Sequence, residues 1–356
     1  MKYIYLLLIT WVVYFPVSYA ATFCVTTSAE LVVAISTAES NSESDAIRIA
    51  EGSYLAPVNG FFYDGIDSPD DHITFSGGWK SNGKNPCSKS SNGSPLATKL
   101  DANFQGRVMV IRPPKHGRVE VFGLYFVRGS GATTGGGLRI NSLSDSTGTV
   151  LIERNGFHSN DATSYGSALY VRGVNTITVR NNLFIRNSHD WSTSADEAVH
   201  LETNRINGIY LLNNTFYDNY TGGVSVSVDG DNGSQAMIVN NLFWGNRGAT
   251  DILLTGSGIK RLHNNNFSTL SGIVDYQSDN INLPPLFHGT SLVPSINSPL
   301  ISAGLRPPLD VPWYSHPGFI DLGGNPRIVN EIDIGAYESP HLMQIEIPIF
   351  IDGFEG

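Results

Sequence analysis

The chain has 356 residues, with 32 Asp and Glu against 22 Lys and Arg, a formal net charge of −10 at pH 7. So acidic and charge-poor a sequence argues against nucleic acid and anionic membrane surfaces as partners. Hydrophobic residues make up 41% and there are 37 glycines, material for a core within a turn-rich all-β protein.

Residues 1–20 read as a targeting segment. Lys2 precedes an apolar run from Ile4 to Val17, and Ser18-Tyr19-Ala20 offers small residues for cleavage after Ala20. The run is short for a membrane span and is broken by Pro16, so export with cleavage is expected over anchoring. No later segment is apolar enough to cross a bilayer, and the targeting segment leads to the expectation of a secreted or cell-surface protein. Cys24 and Cys87 are the only cysteines. In an exported protein an even pair reads as one disulfide, two free thiols or an incomplete metal pair being the alternatives.

Ser28 to Ser40, with Ala29, Leu31, Val32, Ile35 and Ala38, is the one expected helix, with Ser28 as N-cap. It is expected to cover the open end of a first coil that begins at Ala46–Gly52. His72–Trp79, Thr98–Asp101 and Arg107–Ile111 continue as strands. Val119–Phe126 then has the form of a regular coil, with Gly123 where later coils carry asparagine.

From Val150 to Phe267 the sequence repeats. Arg154-Asn155-Gly156-Phe157 is followed by Asn181-Asn182-Leu183-Phe184, Asn213-Asn214-Thr215-Phe216, Asn240-Asn241-Leu242-Phe243 and Asn264-Asn265-Asn266-Phe267. Another asparagine stands three residues after each of the first four phenylalanines: Asn160, Asn187, Asn219 and Asn246. A period of about 24–32 residues predicts a solenoid of roughly eight coils, because one unit cannot bury its own apolar face. Stacked coils would pile the phenylalanines inside and let the asparagine amides bond along the corner, where asparagine also tolerates left-handed backbone.

These asparagine–phenylalanine segments resemble the right-handed parallel β-helix family, the architecture of pectate-lyase-like proteins. The resemblance covers most of the chain after the targeting segment and implies an all-β fold of three parallel sheets, with an N-terminal capping helix. The run Ile47…Gly52-Ser53-Tyr54, Gly77-Gly78-Trp79, Cys87, Leu100-Asp101 is similar to the N-terminal portion of many secreted β-helix proteins. The series Ser298-Pro299-Leu300, Asp321–Arg327 and Asp333–Glu338 resembles the end of the solenoid in exported bacterial β-helix proteins, which often carry a surface-sorting tail. His341–Gly356 is similar to short terminal tags on secreted proteins of some Gram-negative bacteria; a frayed or edge strand is the alternative. The organisation that follows is a signal peptide (1–20), N-terminal cap and first coils (21–97), regular coils (98–272), C-terminal coil and cap (273–340) and tail (341–356).

Chemistry is expected on the strand after each asparagine–phenylalanine corner. Alternation turns the flanking aliphatics inward and leaves an outward file Arg139, Tyr170, His200, Ser225, Leu253, with a second file Asn141, Arg172, Glu202, Ser227, Thr255. His189, Asp190 and Trp191 crest the longest loop entering this sheet. The resemblance implies a substrate groove along this sheet and its loops. Strands repeat at about 4.8 Å, close to the length of one sugar, so such a face suits a polysaccharide or envelope glycan. Arg139, Tyr170, Arg172, His200 and Glu202, with the loop residues, are the candidate glycan contacts. Elimination on a uronate glycan would need a cation (Arg139 or Arg172), a base (His200) and an acid (Tyr170). The Asp pair and Gly-His-Gly of polygalacturonase-like hydrolases and the arginine-centred motif of pectate lyases are missing, which favours binding over catalysis. Hydrolysis would need two carboxylates about 5–9.5 Å apart, and Glu202 has no acidic neighbour in its file. A structural surface protein or adhesin is the third expectation.

No cofactor is required by these motifs. Calcium is the cation that Asp229-Gly230-Asp231-Asn232-Gly233 would take, through Asp229 and Asp231, but the distal bidentate glutamate is missing and a solvated turn explains the same residues. The cluster Asp64, Asp67, Asp70, Asp71 is read the same way.

Overall fold

A computed structural model describes residues 21–41, 43–67, 71–81, 86–90, 97–142, 146–188, 196–204, 207–229, 233–289, 291–307, 316–329 and 331–340. The chain winds into a parallel β-solenoid of about eight turns, its strands falling into sheets of ten, seven and eight. In each full turn a strand of the first sheet leads to one of the second and then one of the third. One turn runs Thr176–Arg180, Leu183–Ile185, Glu197–Thr203, and the next Gly208–Leu212, Thr215–Tyr217, Gly222–Val228. Every strand pairs in parallel with its copy one coil away. No helix among the described residues is long and apolar enough to cross a membrane.

The expected internal file is present. Phe126, Phe157, Phe184, Phe216 and Phe243 stack with centroid separations of 4.9, 4.9, 4.8 and 4.4 Å. Each is buried. The file continues toward the N-terminus as Leu100 and Tyr54 by strand register. Parallel pairing in fixed register forces identical positions over one another, so one large apolar residue per coil becomes a continuous core.

The two asparagines of each corner divide the work. The first takes left-handed backbone: φ is 57° at Asn181, 53° at Asn213, 59° at Asn240 and 53° at Asn264. Gly123, with φ 69°, holds the same place in an earlier coil. The second builds the ladder. Asn182 Nδ2 donates to Asn214 Oδ1 (3.0 Å), Asn214 Nδ2 to Asn241 Oδ1 (3.0 Å) and Asn241 Nδ2 to Asn265 Oδ1 (3.0 Å). Backbone carbonyls of the preceding coil take the other amide proton, as Val179 O does from Asn214 at 2.9 Å. The later asparagines form a second ladder between the second and third sheets, Asn160 to Asn187 to Asn219 to Asn246. A buried amide needs all its partners, and only a stacked copy of itself supplies them in every coil.

The helix spans Ser28–Glu39 and packs Leu31, Ala34, Ile35 and Ala38 into the core. Its N-cap is Thr27, not Ser28. Thr27 is extended and its side chain accepts from Glu30 N–H, while Glu30 reaches back to the cap, a reciprocal box that Ser28 cannot form from inside the first turn. Cys24, on the edge strand Thr22–Val25, is bonded to Cys87 as expected. This staples the outermost strand of the ten-stranded sheet to the loop beyond Trp79.

The region expected as a last coil and cap over 273–340 begins as a partial coil, with Tyr276–Ser278 pairing on the first sheet. It then runs back along the flank of the solenoid. Pro317 O and Ile320 O accept from Asn181, Asp333 O from Asn213, Leu305 O from Asn240 and Ala303 O from Asn264. Leu322 and Ala336 pack on Leu183, and Leu300 and Ile334 on Leu242. These contacts fall on the first two sheets and the corner between them. The segment is pinned by buried Arg327, which donates to Glu338 Oε1 at 2.6 Å and to Ala336 O at 2.7 Å.

Burial pushes Glu338 up to about 8, Arg327 opposing it and Asp333 adding to it. The folded state therefore holds a proton that the unfolded chain releases near 4.5. The stabilisation is full below that value and is lost as pH rises from about 4.5 through about 8. The urea midpoint of the wild type should drop more between pH 5 and pH 8.5 than that of Glu338→Gln, which has no proton to lose. Parallel changes in the two proteins would remove Glu338 from the pH response.

Candidate functional site

The third sheet carries both outward files in the expected register. Arg139 aligns with Tyr170, Tyr170 with His200, His200 with Ser225 and Ser225 with Leu253. Asn141, Arg172, Glu202, Ser227 and Thr255 align in the same steps. Strand alternation accounts for this, since Leu138, Ile140, Leu169, Val171, Val199 and Leu201 are buried on the inner face.

Outward does not mean exposed along the first file. Tyr170 is 7% accessible and Ser225 4%, a correction to the expected open row. The Tyr170 ring stacks on His200 at 5.3 Å with planes 11° apart. Burial pushes the Tyr170 phenol up, with Glu202 adding and Arg172 opposing, so it remains a proton donor at neutral pH. A two-stranded sheet of Ala132–Thr134 and Ala162–Tyr165 stands at the margin. From it Tyr165, half exposed, tilts onto His200 at 5.0 Å.

His200 sits between two carboxylates. Its Nδ1 is 3.0 Å from Glu197 Oε1 and its Nε2 is 3.7 Å from Glu202 Oε2. Glu197 is buried and accepts from Gly166 N–H at 3.3 Å, so it fixes the ring from the protein side. Glu202 also meets Arg172 at 3.0 Å, and this charge is the largest cause of the rise in the Arg172 pKa. Asn141, Ser142, Arg172, Gly173, Glu202, Thr203 and Asn204 line a cleft of ≈ 230 Å³ beside these groups.

Of the expected contacts, Arg139, Tyr170, Arg172, His200 and Glu202 thus lie on one face. His189, Asp190 and Trp191 lie outside the described residues, as does Asp231. Asp229 Oδ1 accepts from Ser257 N–H at 3.2 Å. Among the described residues no group of three or more His, Cys, Asp or Glu converges as metal ligands. Sequence reading placed Glu197 only beside the long loop, as a carboxylate weighed for hydrolysis, and missed its contact with His200 and the whole of Tyr165. Glu197 opens the same strand as His200, three residues before it. Tyr165 belongs to the marginal sheet, which no repeat pattern announces. The outward files also extend one and two coils earlier, to Val110 and Phe62 and to Arg112 and Asp64.

A family model described as right handed beta helix region matches residues 132–267. The match spans the coils that carry Arg139 to Leu253 and agrees with the winding of the chain. No curated protein matches the sequence significantly.

Proposed function

We propose that this β-helix repeat protein is an exported one that presents the third sheet to a polysaccharide or envelope glycan lying along the solenoid axis. One observation carries the reading. Two files of sugar-compatible side chains, Arg139–Tyr170–His200 and Asn141–Arg172–Glu202, run at one-coil spacing beside an open cleft. Strands about 4.8 Å apart offer successive sugars equivalent positions. Planar guanidinium and amide groups bond hydroxyl and carboxylate oxygens, and the half-exposed Tyr165 ring offers a face for sugar C–H groups. The C-terminal segment lies on the other two sheets, and the helix Ser28–Glu39 serves as the N-terminal cap. Residues 1–20 direct export, and residues 341–356 act in surface sorting. Calcium at Asp229 and Asp231 would be a structural addition, tested by chelation during the binding assay.

A glycan array probed with the folded protein tests the reading. Retention of one or a few glycans is expected, with Arg172→Ala weakening binding about tenfold, the scale of one charge-assisted hydrogen bond. An empty array would leave a purely structural surface protein as the better account.

Elimination on a uronate glycan is the second reading, favoured by the contact of Tyr170 with His200 beside Arg139 and Arg172. His200 would take the ring proton next to the carboxylate and Tyr170 would give a proton to the leaving oxygen, as the carbon–oxygen bond breaks and a ring double bond forms. Ultraviolet absorbance of the unsaturated product from a uronate panel reads this directly. Turnover unchanged in His200→Ala and Tyr170→Phe would remove both from the chemistry.

A further inference from the structure

The strands of the third sheet carry three arginines, Arg112, Arg139 and Arg172, and three acids, Asp64, Glu197 and Glu202. Arg112, Arg139 and Arg172 stand on three successive coils, in the strands Met109–Arg112, Leu138–Asn141 and Leu169–Arg172. They do not form one line. Arg139 aligns with Val110 on the coil before and with Tyr170 on the coil after, whereas Arg172 aligns with Asn141. Arg112 and Arg172 therefore belong to one outward file and Arg139 to the other. Within a strand the files lie two residues apart, about 6.6 Å, and successive coils are about 4.8 Å apart. The three guanidinium-bearing positions form a zigzag about an axis parallel to the solenoid, repeating every second coil at about 10 Å.

The charge balance differs along it. Arg112 is paired with Asp64 at 3.0 Å and Arg172 with Glu202 at 3.0 Å, yet both side chains remain about half exposed, at 47% and 55%. Arg139 has no carboxylate partner among the described residues, and its Nε is buried without an acceptor. Its charged neighbour is another arginine. Arg107 donates to Thr134 O at 2.8 Å and Gly135 O at 2.9 Å, and the Gly135 backbone lies so close to Arg139 that a Cβ there would meet the Arg139 Cβ at 2.9 Å. Burial, and then the Arg139 charge, push Arg107 down to about 10. Two arginines close together, neither with a carboxylate partner among the described residues, form a place for an oxyanion. Phe62, under the Arg112 guanidinium at 5.3 Å and 42% exposed, closes the N-terminal end of the row with an aromatic face.

Resting on the glycan reading above, we propose that the arginine zigzag selects an acidic glycan of the two-fold ribbon type, in which successive sugars turn their carboxylates to opposite sides. Diequatorial 1,4-linkage produces such a ribbon, because each ring is rotated by about half a turn from the last. A chain of that kind brings one carboxylate to Arg112, the next to Arg139 and the third to Arg172. A chain with the same charge but an axial 1,4-linkage winds away from the sheet and meets fewer of the three.

Three hexamers of equal length test this by titration calorimetry with the full chain: cello-oligosaccharide oxidised to glucuronate at C6, the same oligosaccharide unoxidised, and α-1,4-linked galacturonate. The oxidised ribbon should bind at least tenfold tighter than either of the others, with affinity falling as salt rises. Arg139→Gln and Arg112→Gln should each lose about tenfold on the oxidised ribbon and little on the unoxidised one. Arg118→Gln, on the first sheet, should change neither, and equal melting temperatures exclude a folding defect. Equal binding of galacturonate and the oxidised ribbon would overturn the two-sided geometry. Equal binding of the neutral ribbon, or indifference to Arg139→Gln, would overturn the acidic ligand while leaving glycan binding intact. Failure of all three, together with an empty glycan array, would overturn the underlying reading as well.

Discussion

Phe216→Ala should destabilise the protein by about 3–5 kcal/mol, the cost of emptying a large buried aromatic site. Phe216 is inaccessible and lies in the middle of the stacked file, with Phe184 at 4.8 Å on one side and Phe243 at 4.4 Å on the other. In a globular core neighbouring side chains relax into part of such a cavity. Here the neighbours are held by strand register and by the asparagine ladders on both sides of the short strand Thr215–Tyr217, so collapse is limited. Coils interact mainly with adjacent coils, so the defect should also divide the unfolding into two steps, one for the coils on each side. Urea unfolding followed by far-ultraviolet circular dichroism reads both effects. A loss under 1 kcal/mol would mean that the aromatic file is not the core of the solenoid.

Removing the disulfide, by Cys24→Ser with Cys87→Ser, should cost about 2–5 kcal/mol. The bond closes a separation of 63 residues. It also holds the first strand, which has a neighbour on one side only and therefore depends on its covalent tie and on the helix. Arg48 reinforces the same point by donating to Cys87 O at 3.2 Å while lying over Trp79 at 4.3 Å. The loss should be local. Hydrogen exchange should accelerate in Thr22–Val25 and Ser28–Glu39 and remain slow in Gly208–Leu212. Uniform acceleration through all coils would contradict a quasi-linear fold with a separately fastened end.

The repeat was readable because solenoid geometry returns each position to the same environment. A buried amide ladder tolerates nothing but asparagine at Asn182, Asn214 and Asn241, and an aromatic stack rewards phenylalanine in every coil, so physical constraint becomes sequence period. Side-chain direction was readable for the same reason, and the files through Arg139 and Arg172 have the expected register. Cover was not readable. Alternation turns Tyr170 outward, but it is 7% accessible and stacked on His200, and that cover depends on side-chain conformation. Thr27 and Ser28 are both good capping residues, and only the spacing from Thr27 to Glu30 separates them. The contact of Glu197 with His200 was not readable because alternation sets residues three apart on opposite faces of a strand, and Arg107 escaped notice because it acts across elements, on carbonyls of the strand-to-strand turn at Thr134 and Gly135. The flank contacts of residues 300–339 were unreadable because that segment has no period of its own.

The direct test of the glycan face is a crystal structure of the protein with the best-retained oligosaccharide from the array. The account predicts sugar density along the third sheet, parallel to the solenoid axis, between Phe62 and His200, with Arg139 and Arg172 in hydrogen-bonding contact. An oligosaccharide seated on the first or second sheet, or lying across the coils rather than along them, would contradict it.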